Sequence, residues 1–386
     1  MAARFLPGNR LHLLRSGAEY FPALEAALGA ARSAVFLETY IYAGDVTGRR
    51  ITRALCEAAS RGSTVHVLVD GFGSRDMPAE LVDDLRSAGV RLLVFRPEIF
   101  PFPWRRDRLR RMHRKLVAVD DRVAFIGGIN IIDDLDTPHQ VPPRHDYAVK
   151  IEGPLVGEIR QEAERLWNRI ARARLRPDWR LRVGEGPAPP RRGSQRAALV
   201  VRDNLRHRRD IENAYLAAIE SAAREIVIAN AYFLPGKRFR RALLRASRRG
   251  VRVTLLLQGR VEYALLHYAS HALYGTLLEA GIEIYEYRRS FLHAKVAVID
   301  DHWATVGSSN IDPFSLMLAR EANVVVEDGH FAAELRGRLR EDIDQGALVV
   351  TRTRWLAQPL SRRIPSWIAY GLARFTMGVF GLGGRF

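Results

Sequence analysis

Residues 112–121 read MHRKLVAVDD and residues 292–301 read LHAKVAVIDD. Each is a β-branched, apolar run into which three polar residues are set: His113, Lys115 and Asp120 in one, His293, Lys295 and Asp300 in the other. Side chains two apart on a strand share a face, so each histidine and its lysine can reach one target together. A single such run reads most simply as an edge strand made soluble by its charges. Two copies change that reading, because the series continues through Gly127 and Asn130 in the first and Gly307 and Asn310 in the second, with identical steps of two, five, seven and three residues. Independent solubilising charges have no reason to keep a common register.

The repeat extends in both directions. AVFLETYIY at 34–42 matches IVIANAYFL at 226–234, RGSTVHVLVD at 61–70 matches RGVRVTLLLQ at 249–258, and AGVRLLVF at 88–95 matches AGIEIYEY at 280–287. Helical segments are expected at about 20–31 and 210–223 and again between the matched strands. Strands alternating with helices predict an α/β protein made of two tandem domains, each a mixed sheet flanked by helices. The Pro-, Gly- and Arg-rich VGEGPAPPRRGSQ reads as the linker, giving domains at 1–182 and 196–358, a linker at 183–195 and an apolar C-terminal segment at 359–386.

With 386 residues, 47% hydrophobic and 27% charged, the chain has ample material for real cores and is not of disordered composition. Cys56 is the only cysteine, which excludes an internal disulfide framework and a cysteine-based structural zinc site. No signal-peptide pattern opens the sequence, so the default expectation is the cytoplasm. The formal net charge of +17 implies a polyanionic partner, nucleic acid or an anionic membrane. Only four of the basic residues are lysines, and Lys115 and Lys295 are two of them. A lysine kept where arginine is the rule suits a task that needs a compact charge with rotatable donors.

The paired stretches HRKLVAVDDRVAFIGGIN and HAKVAVIDDHWATVGSSN resemble the duplicated H-x-K-x4-D-x6-G-[GS]-x-N motif of the phospholipase D superfamily. YFLP at 232–235 and SSNIDPFSL at 308–316 are similar to its lipid-synthesising branch, and most of all to short bacterial cardiolipin synthases without N-terminal transmembrane helices. One departure is SLMLARE at 315–321, which keeps Glu321 but places Ala319 where the family often has asparagine. The resemblance implies two phospholipase D-like domains related by a pseudo-two-fold axis, with the site between them.

A phosphodiester repels nucleophiles through its anionic oxygens, so cleaving it takes cations on those oxygens, a nucleophile and an acid for the leaving group. The resemblance implies a phosphohistidine route with His113 as nucleophile and His293 as acid and base, without cofactor or metal. Lys115, Lys295, Asn130 and Asn310 would bind the non-bridging oxygens, with Ser308 as a further phosphate donor. Asp120 and Asp300 complete the candidate catalytic motifs as hydrogen-bond partners near the site rather than proton carriers. Asp146 in RHDYAVKIEG and Glu321 are the downstream carboxylates expected to orient the histidines. Tyr40 and Tyr232 occupy equivalent strand ends, where an aromatic is more often core than pocket.

The first copy has an insert, IFPFPWRRDRLRRM at 99–112, in which Phe100, Phe102 and Trp104 precede a run of arginines. An aromatic wedge with a basic collar fits an anionic lipid surface. The segment IPSWIAYGLARFTMGVFGLGGRF at 364–386 is apolar for about 20 residues, but Arg374 near its middle and its glycines favour an interfacial helix, with Trp367 in contact with lipid, over a span. A terminal helix that covers the core is the plainer alternative. The expected partner is therefore an anionic phospholipid at the cytoplasmic face of the membrane, with the protein peripheral; oligomeric state is open. The expected activity is transfer of a phosphatidyl group from one phosphatidylglycerol to the hydroxyl of a second phospholipid with release of glycerol, and phospholipid hydrolysis is the alternative. A nuclease is less favoured, because the aromatics cluster in a wedge instead of interleaving with basic residues along a groove.

Overall fold

The first repeat runs β1 (Leu6–Arg15), α1 (Ser16–Gly29), β2 (Ala34–Thr39), α2 (Val46–Ser60), β3 (Thr64–Asp70), α3 (Ala79–Ser87), β4 (Arg91–Phe95), β5 (Lys115–Val119), β6 (Val123–Gly127), β7 (Arg144–His145), β8 (Tyr147–Glu152) and α4 (Leu155–Ala173). The second runs β9 (Gln195–Arg202), α5 (Asp210–Ser221), β10 (Glu225–Asn230), α6 (Lys237–Arg248), β11 (Arg252–Gln258), α7 (Ala264–Glu279) and β12 (Glu283–Tyr287). It continues through β13 (Phe291–Leu292), β14 (Lys295–Ile299), β15 (Trp303–Gly307), α8 (Pro313–Met317), β16 (Glu321–Glu327) and α9 (Gly329–Gly346). β17 (Ala347–Val349), α10 (Arg352–Leu356) and α11 (Leu360–Val379) close the chain. These elements belong to a computed structural model that describes residues 3–97, 110–137, 140–184, 188–357 and 359–379.

The strands form one fifteen-stranded sheet in the order β17-β12-β11-β10-β14-β15-β16-β9-β1-β8-β6-β5-β2-β3-β4. Outward from the central β9–β1 seam the two halves mirror each other, so the seam marks the pseudo-two-fold axis. The sequence leads one to expect two sheets, and the antiparallel pairing of β1 with β9 joins them. A bare edge strand presents unpaired backbone groups, and each half supplies the other with the partner it lacks. Within each half the sheet is mixed, with β2-β3-β4 and β10-β11-β12 parallel and the remaining pairs antiparallel.

β5 and β14 are buried along their whole length, as expected for central strands with both faces covered. Leu116 and Ala118 face a cluster that extends across both halves beneath α4 and α9, while Val117 and Val119 face a separate core under α1, α2 and α3. The hairpins β5–β6 and β14–β15 turn at Asp120 and Asp300, both with positive φ (52° and 50°). Aspartate tolerates this left-handed region because its short side chain bonds locally.

The C-terminal helix α11 covers part of the core with one face and leaves apolar residues exposed on the other. Ala369 and Ala373 are buried against α7 in the core of the second half, whereas Ile364, Trp367, Ile368, Leu372 and Phe375 are exposed. Among the described residues no helix is long and apolar enough to cross a membrane.

Candidate active site

Two short parallel pairings bring the motifs together at the axis. β13 pairs with β7, so the backbone N–H of His293 donates to the His145 carbonyl at 2.7 Å. The matching contact in the other half is a bridge between Met112 and Arg320, where the His113 N–H donates to the Arg320 carbonyl at 2.9 Å. In both cases the next residue along the accepting strand is a carboxylate. Asp146 meets Nδ1 of His293 at 2.6 Å, and Glu321 meets Nδ1 of His113 at 3.0 and 3.2 Å.

Each half therefore supplies the carboxylate for the other half's histidine. With Nδ1 held, each imidazole is left its Nε2 for chemistry, and both rings line one cavity of about 680 Å³, a size typical of small-molecule sites. The family resemblance marked Asp146 and Glu321 but gave no sign of this exchange, which depends on how the halves face each other.

Lys115 and Lys295 are fully buried just behind the lining and donate to the carbonyls of His113 (2.6 Å) and His293 respectively. An ammonium has three donors, so one on a carbonyl leaves others for a ligand. Asn130 and Asn310 line the cavity. Oδ1 of Asn130 accepts from the Ile41 N–H at 3.1 Å, which turns its amide donors elsewhere.

The two histidines sit in unequal surroundings. Burial, reinforced by Lys295, pushes His293 down to about 3 against the pull of Asp146. Burial also lowers His113, opposed by Glu321. Burial alone would raise Asp146, but Lys295 and the bond to His293 outweigh it and hold the carboxyl below its usual range.

Three expected site residues have other tasks. Asp120 and Asp300 lie at the far ends of β5 and β14, about 16 Å along the strand from their lysines at the usual rise per residue. Asp120 accepts from the N–H groups of Ser33 and Ala34 (2.9 and 3.0 Å), and Asp300 from those of Ala223, Arg224 and Glu225 (2.9, 2.8 and 3.0 Å). These bonds hold both carboxyls below the usual range and pin the turns that enter β2 and β10, so neither aspartate is near the cavity or available for catalysis. Ser308 is the third: its hydroxyl donates to Glu321 at 2.5 Å and accepts from the Ala322 N–H at 3.1 Å, which makes it a support for the carboxylate in place of a phosphate donor. Gly128 holds the equivalent place in the first copy, where a Cβ would lie 2.3 Å from the Asp146 carboxylate.

Tyr40 and Tyr232, weighed as core or pocket from the sequence, are on the wall, and two further wall residues escaped the sequence reading. Tyr40 sets its ring edge-on to His113 at 4.9 Å and lines the cavity with Tyr232, whose hydroxyl donates to Glu262. Arg144 and Glu262 are also on the wall. Arg144 was within reach of strand logic, since it lies two residues before Asp146 and shares its face. Glu262 belongs to the loop after β11, whose counterpart after β3 has a different sequence, and so gave no signal. Ala319 lines the cavity with a methyl at the family's asparagine position. Of the expected membrane residues, Trp367 is exposed on α11 under the Arg363 guanidinium, whereas Phe100, Phe102 and Trp104 lie outside the described residues.

The family model described as "Cardiolipin synthase, PLD-like domain" matches residues 24–167 and 215–343. Cardiolipin synthase B of Escherichia coli K12 is 44% identical over 340 residues, covering 88% of this chain and 81% of that protein. The major cardiolipin synthase of Bacillus subtilis is 30% identical over 377 residues, 95% of this chain and 74% of that protein. Among solved structures, the phosphatidylserine synthase of Haemophilus influenzae superposes with a TM-score of 0.69 at 14% identity, covering 99% of this chain and 97% of that one, a likeness of fold.

Proposed function

The chain belongs to the phospholipase D-like family of cardiolipin synthases, and on that premise we propose that it transfers a phosphatidyl group from one phosphatidylglycerol to a second through a phosphohistidine. The observation that carries this reading is the crossed arrangement of two histidine–carboxylate pairs around one cavity. Two imidazoles on opposite sides of a single phosphorus suit double displacement.

Nε2 of His113 attacks the phosphorus of the donor lipid. The bond to the headgroup oxygen breaks, and His293 gives that oxygen its proton, so glycerol departs. The second lipid then enters on the same side, and His293 takes the proton from its headgroup hydroxyl. That oxygen attacks the phosphorus, the P–N bond breaks, His113 is freed and cardiolipin is formed. Lys115, Lys295, Asn130 and Asn310 hold the non-bridging oxygens as charge builds on them. The 2.6 Å bond from Asp146 favours a charged His293, and a phosphodiester anion in the cavity would offset the burial that otherwise keeps this ring neutral.

The exposed apolar stripe of α11, with Arg363 and Arg374 beside it, supports a peripheral position on an anionic membrane, as does the net charge of +17. The cytoplasmic face is the side we assign. Purified protein is to be given phosphatidylglycerol vesicles and, separately, single-stranded DNA, with products identified by mass spectrometry. Cardiolipin with an equivalent of glycerol is the expected result. Phosphatidate alone would make the protein a hydrolase, and cut DNA beside untouched lipid would overturn the lipid assignment.

A further inference from the structure

Arg144 is a buried cation with no carboxylate within 4 Å among the described residues; Asp134 and Glu262 act on it only from farther away. It is 9% exposed, its Nη2 donates to the Asp136 carbonyl at 3.1 Å, and its Nη1 has no partner among the described residues. Buried charges are ordinarily paired, because the loss of hydration is otherwise uncompensated. This guanidinium lines the catalytic cavity, stacked over Phe291 at 5.5 Å. The Phe291 ring lies 5.9 Å from that of His293, which places Arg144 on the His293 wall.

The pseudo-two-fold makes the placement informative. The pairing of Phe291 with Arg144 corresponds, in the other half, to the positions of Arg111 and Ala319, so the place held by a guanidinium on the His293 side is held by a methyl on the His113 side. Arg111 lies 3.9 Å from the buried Asp70. Both walls therefore carry an arginine, but unequally: Arg111 on the His113 side lies by the Asp70 carboxylate, whereas Arg144 on the His293 side has no carboxylate within 4 Å among the described residues.

We propose that Arg144 binds the phosphate of the acceptor phospholipid. The proposal rests on the mechanism above, in which the departing glycerol and the incoming lipid both use the His293 side. Departing glycerol has no phosphate, whereas an incoming phosphatidylglycerol brings one a glycerol's length from the hydroxyl that attacks. A planar fork with a free edge matches two oxygens of a phosphodiester. Phe291 holds the guanidinium plane, and the Asp136 carbonyl fixes its other edge. Arg144 so selects a lipid over a small alcohol or water as acceptor.

The test is a competition within one reaction. Wild-type protein, Arg144→Gln and Arg144→Lys are given phosphatidylglycerol vesicles with isotope-labelled free glycerol. The ratio of cardiolipin to labelled phosphatidylglycerol is then read by mass spectrometry. Both products arise from the same phosphatidyl-enzyme, so any loss of folded protein cancels in the ratio. Loss of a charge-assisted contact made only to the lipid acceptor lowers the ratio about tenfold or more in Arg144→Gln, with Arg144→Lys between it and wild type. A ratio equal to that of wild type, with both products reduced alike, would place Arg144 on the donor phosphate or in a structural role and overturn the proposal. A wild-type protein that forms neither product would remove it together with the reading on which it rests.

Discussion

His113 and Glu321 stand 208 positions apart in sequence and share a hydrogen bond; His293 and Asp146 repeat the arrangement in the opposite sense. A carboxylate on Nδ1 fixes both the tautomer and the direction of Nε2, so its charge matters beyond the bond itself. Glu321→Gln and Asp146→Asn keep the shape but lose the charge and allow the wrong tautomer. Each should lower kcat by about 10²-fold or more, with little change in KM. Because both pairs serve one catalytic cycle, the double variant should fall far short of the product of the single losses. Steady-state kinetics on mixed micelles of phosphatidylglycerol measures all three, and a multiplicative double loss would show that the pairs act independently. At this scale the histidines, lysines and asparagines were legible because their spacing repeats. The crossing of the carboxylates was not, since it exists only after the two halves dock; Asp120 and Asp300 were read as hydrogen-bond partners but placed too near the site, and the work of Ser308 was hidden because hydrogen bonding, unlike spacing, depends on the partner.

Asp342 on α9 shows how an element holds the site. It is buried, accepts from Tyr147 Oη and meets His145 Nε2, both at 2.7 Å, and pairs with Arg15 on β1. Since side chains alternate along a strand, anchoring residues 145 and 147 on one face presents Asp146 on the other. Asp342→Asn should therefore destabilise the fold by about 2 kcal/mol in urea unfolding, and it should reduce kcat even where the protein is fully folded. The alternation was readable in RHDY, but its anchor on a helix nearly 200 residues later was not. α11 poses the opposite case, an apolar face left exposed among the described residues. Trp367 and Phe375 are 53% and 68% exposed, so Trp367→Ser and Phe375→Ser should leave stability within about 0.5 kcal/mol. Each should weaken binding to anionic vesicles roughly tenfold in a sedimentation assay, given the transfer free energy of a large apolar side chain. Vesicle binding unchanged in the double variant would assign the stripe to another partner.

The main sheet is covered by helices on both faces, and two mixed half-sheets flanked by helices followed from duplicated strands alternating with helices. The fusion of the half-sheets did not, because edge-to-edge pairing leaves no mark in either strand's own pattern. Such a structure also buries groups that have no part in the chemistry, and these set its response to acid. His66 on β3 is 2% exposed, stacked on Phe36 at 4.7 Å and edge-on to Trp167 at 4.7 Å, which ties the sheet to α4. Burial, with Arg91 nearby, pushes it down to about 4, while the unfolded chain returns it to about 6.5. Between these values the unfolded state binds the proton and the folded state does not, so stability falls as pH drops from about 6.5 to about 4 and this group contributes no further loss below that. The stabilisation lost is on the order of 3 kcal/mol. His66→Phe keeps an aromatic ring in the stack and removes the titration. Its urea midpoint should therefore be flatter than that of wild type across that window while the two run parallel above pH 7. Identical pH dependence in the two proteins would locate the acid response elsewhere, in the carboxylates whose folded values are held low, Asp146 and Asp342 among them. Those lose their contribution only as pH falls below about 4, where they take up protons in the unfolded chain first.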